Sequence, residues 1–398
     1  MPHSMRKDGT PSKGSIYLWT AGFFPGTLWY LSNYTGDKAL QDSALVYTHQ
    51  MEPAKTFTDN HDIGFMMYCS YGNANRFAPK DEYEDILVES ARSLCTRFRP
   101  QAKVIQSWNG FRSWHGDKVY DFPVIIDNMM NLELLYFASK VTGDPHYAEI
   151  ANSHAITTAR EQFREDYSNY HVVNYDPETG KVLHKQTCQG FSDNSAWARG
   201  QAWAIYGYTM AYRETKKPEF LEMAQRTAEF WLNHSNLPED MVPYWDFNAG
   251  QEGYVPEWEY DANDFKEIPR DASAAAITAS ALLELYQYVD KKTKVYLYAE
   301  TDKTPEKSGV LTSGTVKYGK SSVEGKDAAL ALAFSGQKEI GVRYGISFIS
   351  TEQARKNLER EINSYDVSAI ARIGRNEWND ALGKIQVSGA VSYTHLRA

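Results

Sequence analysis

Two stretches of this chain follow the same plan, in which an apolar segment, a Thr-Gly-Asp turn and an amphipathic segment come in that order. In the first, residues 26–34 lead into the turn at 35–37 and then KALQDSALVYTHQM. In the second, residues 128–141 lead into the turn at 142–144 and then PHYAEIANSHAITTAREQF. Apolar residues spaced three and four apart predict helices on both sides of each turn. The repeat therefore predicts helical hairpins and a mainly α fold.

The same plan recurs less regularly through roughly the first 290 residues. Residues 61–71 pair with 81–98, and residues 196–215 pair with 218–233. Residues 273–289 supply a fifth apolar helix. Helix pairs that recur with long loops between them predict a helical toroid or solenoid in which the apolar helices line the inside.

Three long loops interrupt the helical pattern, at residues 107–123, 167–193 and 236–270. They are rich in aromatic and turn-forming residues. Loops of this length in a compact domain usually build a binding or catalytic site. We therefore expect the functional residues to lie in these loops and at the helix ends next to them.

The sequence changes character after about residue 291. The segments KVYLYAE, GVLTSGTVKYG, AALALAFSG and IGVRYGISFIS are typical of short strands, and one amphipathic helix follows at residues 352–362. We predict a boundary near residues 290–300, between a helical domain at 15–290 and a β-rich region at 291–398. Residues 1–14 are expected to be a flexible N-terminus.

Charge and composition narrow the possible partners. The net charge of −9 argues against a nucleic-acid partner, because phosphates require a basic surface. The N-terminal residues have no apolar signal-peptide core, and no run of about 18 apolar residues occurs. We therefore expect a soluble protein of the cytoplasm or periplasm, with no membrane partner and no visible export signal. The oligomeric state is left open.

The three cysteines, Cys69, Cys95 and Cys188, do not form a recognisable ligand pattern. They have neither Cys-x-x-Cys spacing nor the Cys/His spacing of zinc sites. The sequence therefore predicts no metal site and no disulfide framework.

Two acidic residues occupy positions at which the helical pattern predicts apolar residues. Asp127 shares a predicted helix face with Met130, Leu134 and Phe137, and Asp62 stands in the same way at the start of another apolar helix. Burying a carboxylate is costly, so two such acids favour a shared cavity. The alternative is that each is an N-cap or first-turn acid favoured by the helix dipole.

Residues 189–203, QGFSDNSAWARGQAW, combine polar and aromatic side chains at the entrance to an apolar helix. A helix beginning near Ser195 would place Arg199 and Trp203 on one face. An arginine in a cavity lined by tryptophan suits a planar carboxylate, which its guanidinium can hold by two bonds. The alternative is a surface arginine stacked on a tryptophan.

Two further features have ordinary structural explanations when taken alone. His171, in the preceding long loop, is more typical of a histidine satisfied within its loop than of a functional one. The segment RDASAAAI, residues 270–277, is typical of a capped helix start, with Asp271 or Ser273 as the cap.

Five motifs, taken in chain order, resemble the family 88 glycoside hydrolases, the unsaturated glucuronyl hydrolases. They are WTAGFFPGTLWYL, HDIGF, the Asp127 helix, GFSDNSAWARGQAWAIYG and RDASAAAI. The resemblance covers roughly residues 15–290, and its SAWARGQAW segment is specific. Unsaturated rhamnogalacturonyl hydrolases share the fold, but their matching segments differ more. The resemblance implies an (α/α)6 barrel that removes a 4,5-unsaturated uronic acid from the non-reducing end of oligosaccharides left by polysaccharide lyases.

The resemblance also implies a chemistry, in which an aspartate protonates C4 of the vinyl ether and activates water to add at C5. The hemiketal then opens and the sugar is released. Asp127 matches this general acid/base, and Asp62 matches a second essential aspartate whose charge raises the pKa of its partner. Further matches imply contacts with the substrate, in which Arg199 would hold the uronate carboxylate and the tryptophans would stack on the sugar. Ser273 is the weakest of these matches. The matching residues are Trp19, His171, Gln189, Trp197, Arg199, Trp203 and Ser273. No metal or other cofactor is implied.

The sequence departs from the family pattern after Val289. The family continues with a last helical hairpin that closes the barrel, but here residues 302–389 resemble part of the N-terminal β-sandwich domain of family 92 glycoside hydrolases, which are calcium-dependent α-mannosidases. We therefore expect a chimera, with a barrel lacking its closing hairpin followed by a foreign β-rich fragment. Two other interpretations stay open beside the glucuronyl hydrolase: an inactive helical fragment that binds sugar, and a rhamnogalacturonyl hydrolase-like enzyme.

Overall fold

The structure, a computed structural model, describes residues 1–6, 8–112, 119–255, 267–289, 296–312, 314–325, 328–347 and 350–383. The chain divides into two compact units, Met1–Val289 and Asp290–Ala398. The division falls at the start of the interval in which the sequence predicts a boundary.

Unit 1, Met1–Val289, is mainly helical. A 3-10 turn at Glu52–Thr56 follows the second helix, and a π turn at Tyr68–Gly72 joins α3 (Ile63–Met67) and α4 (Asn73–Phe77) into one segment. The helices in its described residues are α1 (Phe23–Thr35), α2 (Lys38–Gln50), α3 (Ile63–Met67), α4 (Asn73–Phe77), α5 (Asp81–Cys95), α6 (Asn128–Thr142), α7 (Pro145–Glu161), α8 (Ala198–Thr215), α9 (Pro218–Asn233) and α10 (Ala272–Leu285).

The two Thr-Gly-Asp turns end one helix and begin the next. Gly36 and Gly143 have left-handed φ angles of 71° and 72°, which side-chain-bearing residues rarely adopt. The aspartates that follow, Asp37 and Asp144, cap α2 and α7 by accepting a backbone N–H two residues further on. The structure therefore confirms the predicted hairpins at both turns.

The helices form two layers. The inner layer is a row of α1, the α3–α4 segment, α6, α8 and α10, in which each member packs against the next. Helices α2, α7 and α9 pack mainly against one inner helix each, α1, α6 and α8, whereas α5 packs against both the α3–α4 segment and α6. This arrangement confirms five apolar helices with four amphipathic partners, and α10 has no following outer helix in the described part of unit 1. Within the described residues, no helix is both long and apolar enough to cross a lipid bilayer.

Fully buried aromatic residues fill the space between the layers. The indole N–H of Trp29 in α1 donates to Thr48 of α2 at 3.0 Å. The rings of Tyr71 and Tyr83, on the π turn and α5, have centroids 5.3 Å apart. Large side chains therefore fix α1 to α2 and the α3–α4 segment to α5, and the polar tip of Trp29 is satisfied.

Helix α6 is approached closely from both sides. A Cβ added at Gly64 of α3 would lie 2.3 Å from Oδ1 of Asn131, and one added at Gly207 of α8 would lie 2.5 Å from Cβ of Met129. Only glycine permits such contacts. The two glycines therefore bring α3 and α8 against the first turns of α6, and the starts of α3 and α6 come together.

One arginine links three consecutive inner helices. Arg213 of α8 pairs with Glu133 of α6 and with Glu284 of α10, the latter at 3.1 Å. Burial raises the pKa of Glu133, and the charge of Arg213 opposes this shift. The pairing keeps the buried charges compensated where the helices meet.

Short antiparallel strands lie between the helices of unit 1. Strands β7 (Pro123–Ile125), β8 (Val172–Tyr175) and β9 (Val182–Gln186) form one sheet in that order, and Ile125 of β7 pairs with Val172 of β8. This register places the residues that follow β7 next to those that precede β8. The strands are β1 (Pro2–Met5), β2 (Pro11–Lys13), β3 (Phe98–Arg99), β4 (Val104–Ile105), β5 (Phe111–Arg112), β6 (Val119–Tyr120), β7 (Pro123–Ile125), β8 (Val172–Tyr175) and β9 (Val182–Gln186).

The N-terminus differs from the expectation of a flexible segment at residues 1–14. Strands β1 and β2 pair there in antiparallel fashion. The hydroxyls of Ser4 and Ser12 lie 2.6 Å apart across the pair, and the Met1 amino group donates to the carbonyl of Gly14 at 3.0 Å. Cross-strand hydrogen bonds thus order a stretch that has no apolar periodicity.

The described residues of unit 2, Asp290–Ala398, form two small antiparallel sheets. The four strand-like segments are confirmed, but the expectation of one helix is wrong, because a second helix follows the predicted one. Its described elements are β10 (Tyr296–Thr301), β11 (Lys307–Thr312), β12 (Thr315–Tyr318), β13 (Ala329–Ala333), β14 (Val342–Ser347), α11 (Thr351–Glu361) and α12 (Val367–Gly383). The last fifteen residues of the sequence lie outside the described ones.

The two ends of the inner row expose apolar side chains. On α1, Tyr30, Leu31 and Tyr34 are exposed, with Tyr34 at 89%. On α10, Leu283 is 74% exposed and Tyr286 is 48% exposed. Inner helices normally bury such side chains against neighbours on both sides. Tyr30 also packs against Phe77 of α4, with ring centroids 5.2 Å apart, so Tyr34 on α1 and Leu283 on α10 are the side chains left most exposed at the ends of the row.

Candidate active site

Asp62 and Asp127 occupy equivalent positions in the fold. Each is the residue immediately before an inner helix, α3 or α6, and neither side chain accepts a capping hydrogen bond. Asp271 behaves differently, since its carboxylate accepts the N–H of Ala274 at the start of α10. Helix capping therefore explains why an aspartate stands at position 271. It does not explain Asp62 and Asp127, whose carboxylates accept no capping hydrogen bond.

A buried histidine faces each of these two carboxylates. Nε2 of His61 lies 3.3 Å from Oδ1 of Asp62, and Nε2 of His171 lies 3.5 Å from Oδ2 of Asp127. The β7–β8 register brings the second pair together, because the N–H of Ile126 donates to the carbonyl of His171 at 3.1 Å. The site therefore contains two Asp–His pairs at adjacent helix starts.

The hydrogen bonds of His171 fix its tautomer. Its Nδ1 accepts the backbone N–H groups of Cys188 at 3.0 Å and Gln189 at 3.1 Å. An imidazole nitrogen that accepts two hydrogen bonds carries no proton, so the proton of neutral His171 is on Nε2. His171 therefore presents an N–H donor towards Asp127 and the space beside it.

Electrostatics couple the two carboxylates. Burial raises the pKa of Asp62 to about 7, the charge of Asp127 adds to this effect, and Arg97 opposes it. Burial also lowers the pKa of His61 to about 4, so this ring is neutral at pH 7. A pair of acids in this environment retains a proton near neutral pH, as a general acid requires.

Trp197 brings several predicted site residues together. Its ring centroid lies 4.5 Å from that of His171, and the guanidinium carbon of Arg199 lies 5.5 Å from the Trp197 ring. Gln189 is exposed and holds His171 through its backbone. Asp127, Trp197 and Gln189 therefore contact His171 directly, and Arg199 is connected to this group through the Trp197 ring.

The three tryptophans predicted as stacking walls differ in exposure. Trp19 is 37% exposed, whereas Trp197 and Trp203 are buried. Phe65 lies between two of them, with ring centroids 5.6 Å from Trp19 and 5.3 Å from Trp203. Of the three, only Trp19 has a partly exposed ring, whereas Trp197 and Trp203 belong to the buried packing around the site.

Arg199 has a protein partner that the sequence analysis did not foresee. Its guanidinium donates twice to one carboxylate oxygen of Asp271. Ser273 is exposed in the first turn of the helix that Asp271 caps. The structure therefore places Ser273 two residues from the partner of Arg199, and a cap at Asp271 is confirmed.

The loop before α8 is shaped by a buried carboxylate. Asp246 accepts the N–H of Phe191 at 2.9 Å and the hydroxyl of Ser195 at 2.7 Å on the same oxygen. Ser195 is thereby kept in the turn, and α8 begins at Ala198 instead of near Ser195. Asp246 lies 51 residues from Ser195, so a local pattern could not have predicted its role.

The residues that the sequence analysis passed over are His61, Asp246 and Asp271 as the partner of Arg199. His61 carried one signal, since it is a polar residue beside Asp62 in an otherwise apolar segment. Among the described residues, no group of three His, Cys, Asp or Glu side chains has the arrangement of a metal site.

Comparison with known proteins finds relatives of one enzyme class. The profile of Glycosyl Hydrolase Family 88 matches residues 3–284. An unsaturated glucuronyl hydrolase of Formosa agariphila is 48% identical over 299 residues, which cover 75% of this chain and 70% of the relative. An unsaturated chondroitin disaccharide hydrolase of Streptococcus pyogenes serotype M1 is 35% identical over 285 residues, which cover 69% of this chain and 66% of the relative.

A solved structure shows the same fold. The crystal structure of an unsaturated glucuronyl hydrolase specific for heparin superposes with a TM-score of 0.65 at 45% identity, and 73% of each chain is covered. The structural neighbours are helical toroids of this enzyme class.

Proposed function

The chain belongs to glycoside hydrolase family 88 and is a hydrolase that releases unsaturated uronic acid from oligosaccharides; we propose that Asp127 is its general acid and base, with Asp62 as the ionised partner. The single observation that carries this assignment is the coupling of two buried carboxylates, each without a capping bond and each facing a histidine. A protonated carboxylic acid at neutral pH is what protonation of a carbon atom requires.

The proposed reaction begins with proton transfer from Asp127 to C4 of the vinyl ether, which leaves positive charge on C5 and the ring oxygen. The Asp127 carboxylate then accepts a proton from water as the water oxygen bonds to C5, which regenerates the acid. The resulting hemiketal opens to a C5 ketone, and the hemiacetal at C1 releases the remaining sugar. Asp62 stays ionised throughout, and its charge opposes ionisation of Asp127.

The substrate uronate is proposed to lie between His171 and Arg199. Nε2–H of His171 is a neutral donor, and the Arg199 guanidinium is a cation fixed in plane by Asp271. Gln189 offers its exposed side chain, and Trp19 offers an open ring for stacking. These groups suit a planar, anionic sugar at the non-reducing end.

The sugar beyond the uronate is a separate question. Relatives of this chain are named for chondroitin disaccharides and for heparin. We propose that the chain acts on an unsaturated disaccharide of the glycosaminoglycan class. A panel of chondroitin-, hyaluronan- and heparin-derived unsaturated disaccharides, with and without sulfate, compares these substrates directly by kcat/KM.

The test of the function is loss of the vinyl-ether absorbance when the full chain meets an unsaturated disaccharide. A saturated disaccharide of the same composition is the control and should give no change. Binding of the unsaturated sugar without loss of absorbance would favour an inactive sugar-binding fragment instead. Activity confined to unsaturated galacturonyl-rhamnose would favour the rhamnogalacturonyl hydrolase-like alternative.

We also propose that unit 2 is foreign to the hydrolase and derives from the β-sandwich domain of a family 92 enzyme. The family 88 profile ends at residue 284, shortly before the division of the chain at Val289. The exposed apolar faces of α1 and α10 support a barrel without its closing hairpin. Sequencing the gene from its source across the codons for residues 285–305 tests this proposal, since a continuous family 88 reading frame there would contradict a natural fusion.

A further inference from the structure

Asn131 is a fully buried polar residue that the reaction scheme above does not use. It lies four residues after Asp127, so the two side chains project from the same face of α6, one turn apart. Its Oδ1 accepts the backbone N–H of Phe65 at 2.8 Å, and Phe65 lies in the first turn of α3. A side chain of α6 therefore satisfies an N–H group at the start of α3.

This hydrogen bond is one that a capping residue normally makes. The first N–H groups of a helix have no partner within the helix, and the side chain of the N-cap residue usually accepts the N–H two or three positions further on. Asp62 is the N-cap residue of α3 and Phe65 is three positions further on, but the Asp62 side chain makes no capping bond. Asn131 thus caps α3 in its place.

The backbone of Asp62 agrees with this exchange of roles. Asp37 and Asp144 cap their own helices and have extended backbones, with ψ angles of 115° and 114°. An extended backbone is typical of an N-cap residue whose side chain turns back to the helix. Asp62 instead has a helical backbone, with φ of −70° and ψ of −1°. Its conformation therefore does not suit a cap made by its own carboxylate.

A glycine makes the cap from α6 possible. A Cβ added at Gly64 would lie 2.3 Å from Oδ1 of Asn131 and 2.6 Å from its Cα. Any side chain at this position would therefore displace Asn131 from the N–H of Phe65. Gly64 and Asn131 together fix the start of α3 one turn below Asp127.

We propose that Asn131 is a positioning residue that caps α3 in place of Asp62, so that the Asp62 carboxylate stays free to act together with Asp127. This inference rests on the proposed function for the role of the two acids. The geometry that supports it is independent of that role: the bond from Phe65 to Asn131, the missing cap at Asp62 and its helical backbone.

The charged and titratable groups around Asp62 make its position measurable. Burial and the charge of Asp127 raise the pKa of Asp62 to about 7, and Arg97 opposes this shift. His61, whose Nε2 lies 3.3 Å from Oδ1 of Asp62, has its own pKa lowered to about 4 by burial and is neutral at pH 7. If Asp62 turned to cap α3, it would gain an N–H donor and the helix dipole, and its pKa would fall.

The first experiment titrates the carboxyl groups of the full chain, labelled with ¹³C at aspartate Cγ and free of substrate. The Asp62→Asn variant identifies the Asp62 signal, which should titrate near pH 7 in the parent. Asn131→Ala should lower this midpoint by about one pH unit or more, because Asp62 can then turn and accept the N–H of Phe65. A midpoint that is unchanged or raised in a folded Asn131→Ala variant would overturn the proposal.

The conservative variant Asn131→Asp should rescue the titration. It keeps an oxygen at the position that accepts the N–H of Phe65, and an added negative charge would disfavour ionisation of Asp62. Its midpoint should therefore lie at or above that of the parent. A midpoint one unit below the parent would contradict the role of the Asn131 oxygen as the acceptor.

Asn73→Ala is the matched control. It removes a half-buried amide from the α3–α4 segment, where Nδ2 of Asn73 donates to the carbonyl of Cys69 at 2.8 Å. The Asp62 midpoint should stay at its parent value. An equal lowering in Asn73→Ala and Asn131→Ala would mean that general loosening of the segment moves Asp62, which contradicts the proposal.

Asn131→Ser replaces Asn131→Ala if the alanine variant does not fold. Serine keeps a polar group but is too short to reach the N–H of Phe65, so the same lowering is expected and its absence would overturn the proposal. All these titrations use the protein without substrate. An inactive parent would therefore refute the proposed function while leaving the result for Asn131 readable.

Activity gives a second readout. The acid must be protonated for turnover, so the alkaline limb of the kcat profile reports the loss of the proton that the two acids share. In Asn131→Ala this limb should move to lower pH by about the same one unit, with KM changed less than about twofold. A purely structural role for Asn131 would lower the amount of folded enzyme and leave the position of the limb unchanged.

Discussion

Arg199 and Asp271 meet through two hydrogen bonds that share one oxygen, with Nε and Nη2 of Arg199 lying 3.1 and 2.9 Å from Oδ2 of Asp271. The other oxygen of Asp271 accepts the N–H of Ala274 at 2.8 Å. One carboxylate thus orients a candidate substrate-binding cation and caps α10, and the two residues are 72 positions apart in the chain.

This double role makes Asp271→Asn informative. The amide keeps an oxygen for the cap, so the free energy of unfolding should change by less than about 0.5 kcal/mol. The charge on Arg199 loses its partner, and kcat/KM should fall about tenfold because charge-assisted bonds contribute roughly 1.5–3 kcal/mol. Asp271→Ala is the comparison, and it should lose about 1 kcal/mol of stability as well. Unchanged kinetics in Asp271→Asn would show that the pair serves only the helix.

Arg199→Lys tests whether Arg199 binds the substrate carboxylate. Lysine keeps the charge but cannot reproduce a planar, two-bond contact, so KM for an unsaturated uronate should rise. The effect should be selective, with a smaller change for the methyl-esterified substrate. Equal losses of affinity for the acid and the ester would show that Arg199 supports the fold and does not bind the substrate carboxylate.

Asp127→Asn should lower kcat by about 10²–10⁴-fold, because the amide keeps the shape and cannot transfer the proton. Helical content and substrate binding should stay near those of the parent. The matched control is Asp144→Asn, which replaces the exposed aspartate that caps α7 and should leave kcat unchanged. Turnover of Asp127→Asn within tenfold of the parent would contradict the role of Asp127.

Asp62 predicts a dependence of stability on pH. Burial and the charge of Asp127 raise its pKa in the folded protein from 3.8 to about 7, so the folded Asp62–Asp127 pair holds one shared proton that the unfolded state releases between these values. The stability that this group contributes is present below pH 3.8 and is lost as pH rises through about 7. The Asp62→Asn variant has no carboxyl group to titrate at this position, so it does not lose this stability as pH rises. Its Tm, relative to the parent, should therefore increase from pH 5 to pH 8, and a constant difference in Tm would indicate an Asp62 pKa in the ordinary range.

The helical framework could be predicted because its signals are local. Gly36 and Gly143 end helices through their own backbone conformation, and the aspartates that follow cap the next helix within two residues. The period of the apolar residues marked the five inner helices and their four partners. Each of these features depends on residues close together in the chain.

The geometry of the site could not be predicted in the same way. Asp127 meets His171 because β7 pairs with β8, and these short strands have too few residues for a clear alternating pattern. The contact between Asn131 and Phe65 spans 66 residues and depends on the absence of a side chain at Gly64. Such contacts follow from packing in three dimensions, so family resemblance supplied residues such as Arg199 without supplying their partners.

The last prediction concerns the two exposed ends of the inner row. Leu283 on α10 and Tyr34 on α1 are 74% and 89% exposed, so they contribute little burial to the fold. Replacing either with glutamine should change the free energy of unfolding by less than about 0.5 kcal/mol and should reduce aggregation, because an exposed apolar face promotes association. Grafting a family 88 closing hairpin after Val289 should reverse the effect of Leu283→Gln on stability, because the hairpin would bury this side chain. Burial of a large apolar side chain contributes roughly 1.5–3 kcal/mol, so Leu283→Gln should then destabilise the protein by a similar amount. Chemical denaturation and light scattering of the parent, its two single variants, the graft and the graft with Leu283→Gln measure both effects, and a large loss of stability from Leu283→Gln in the original chain would mean that α10 is already covered.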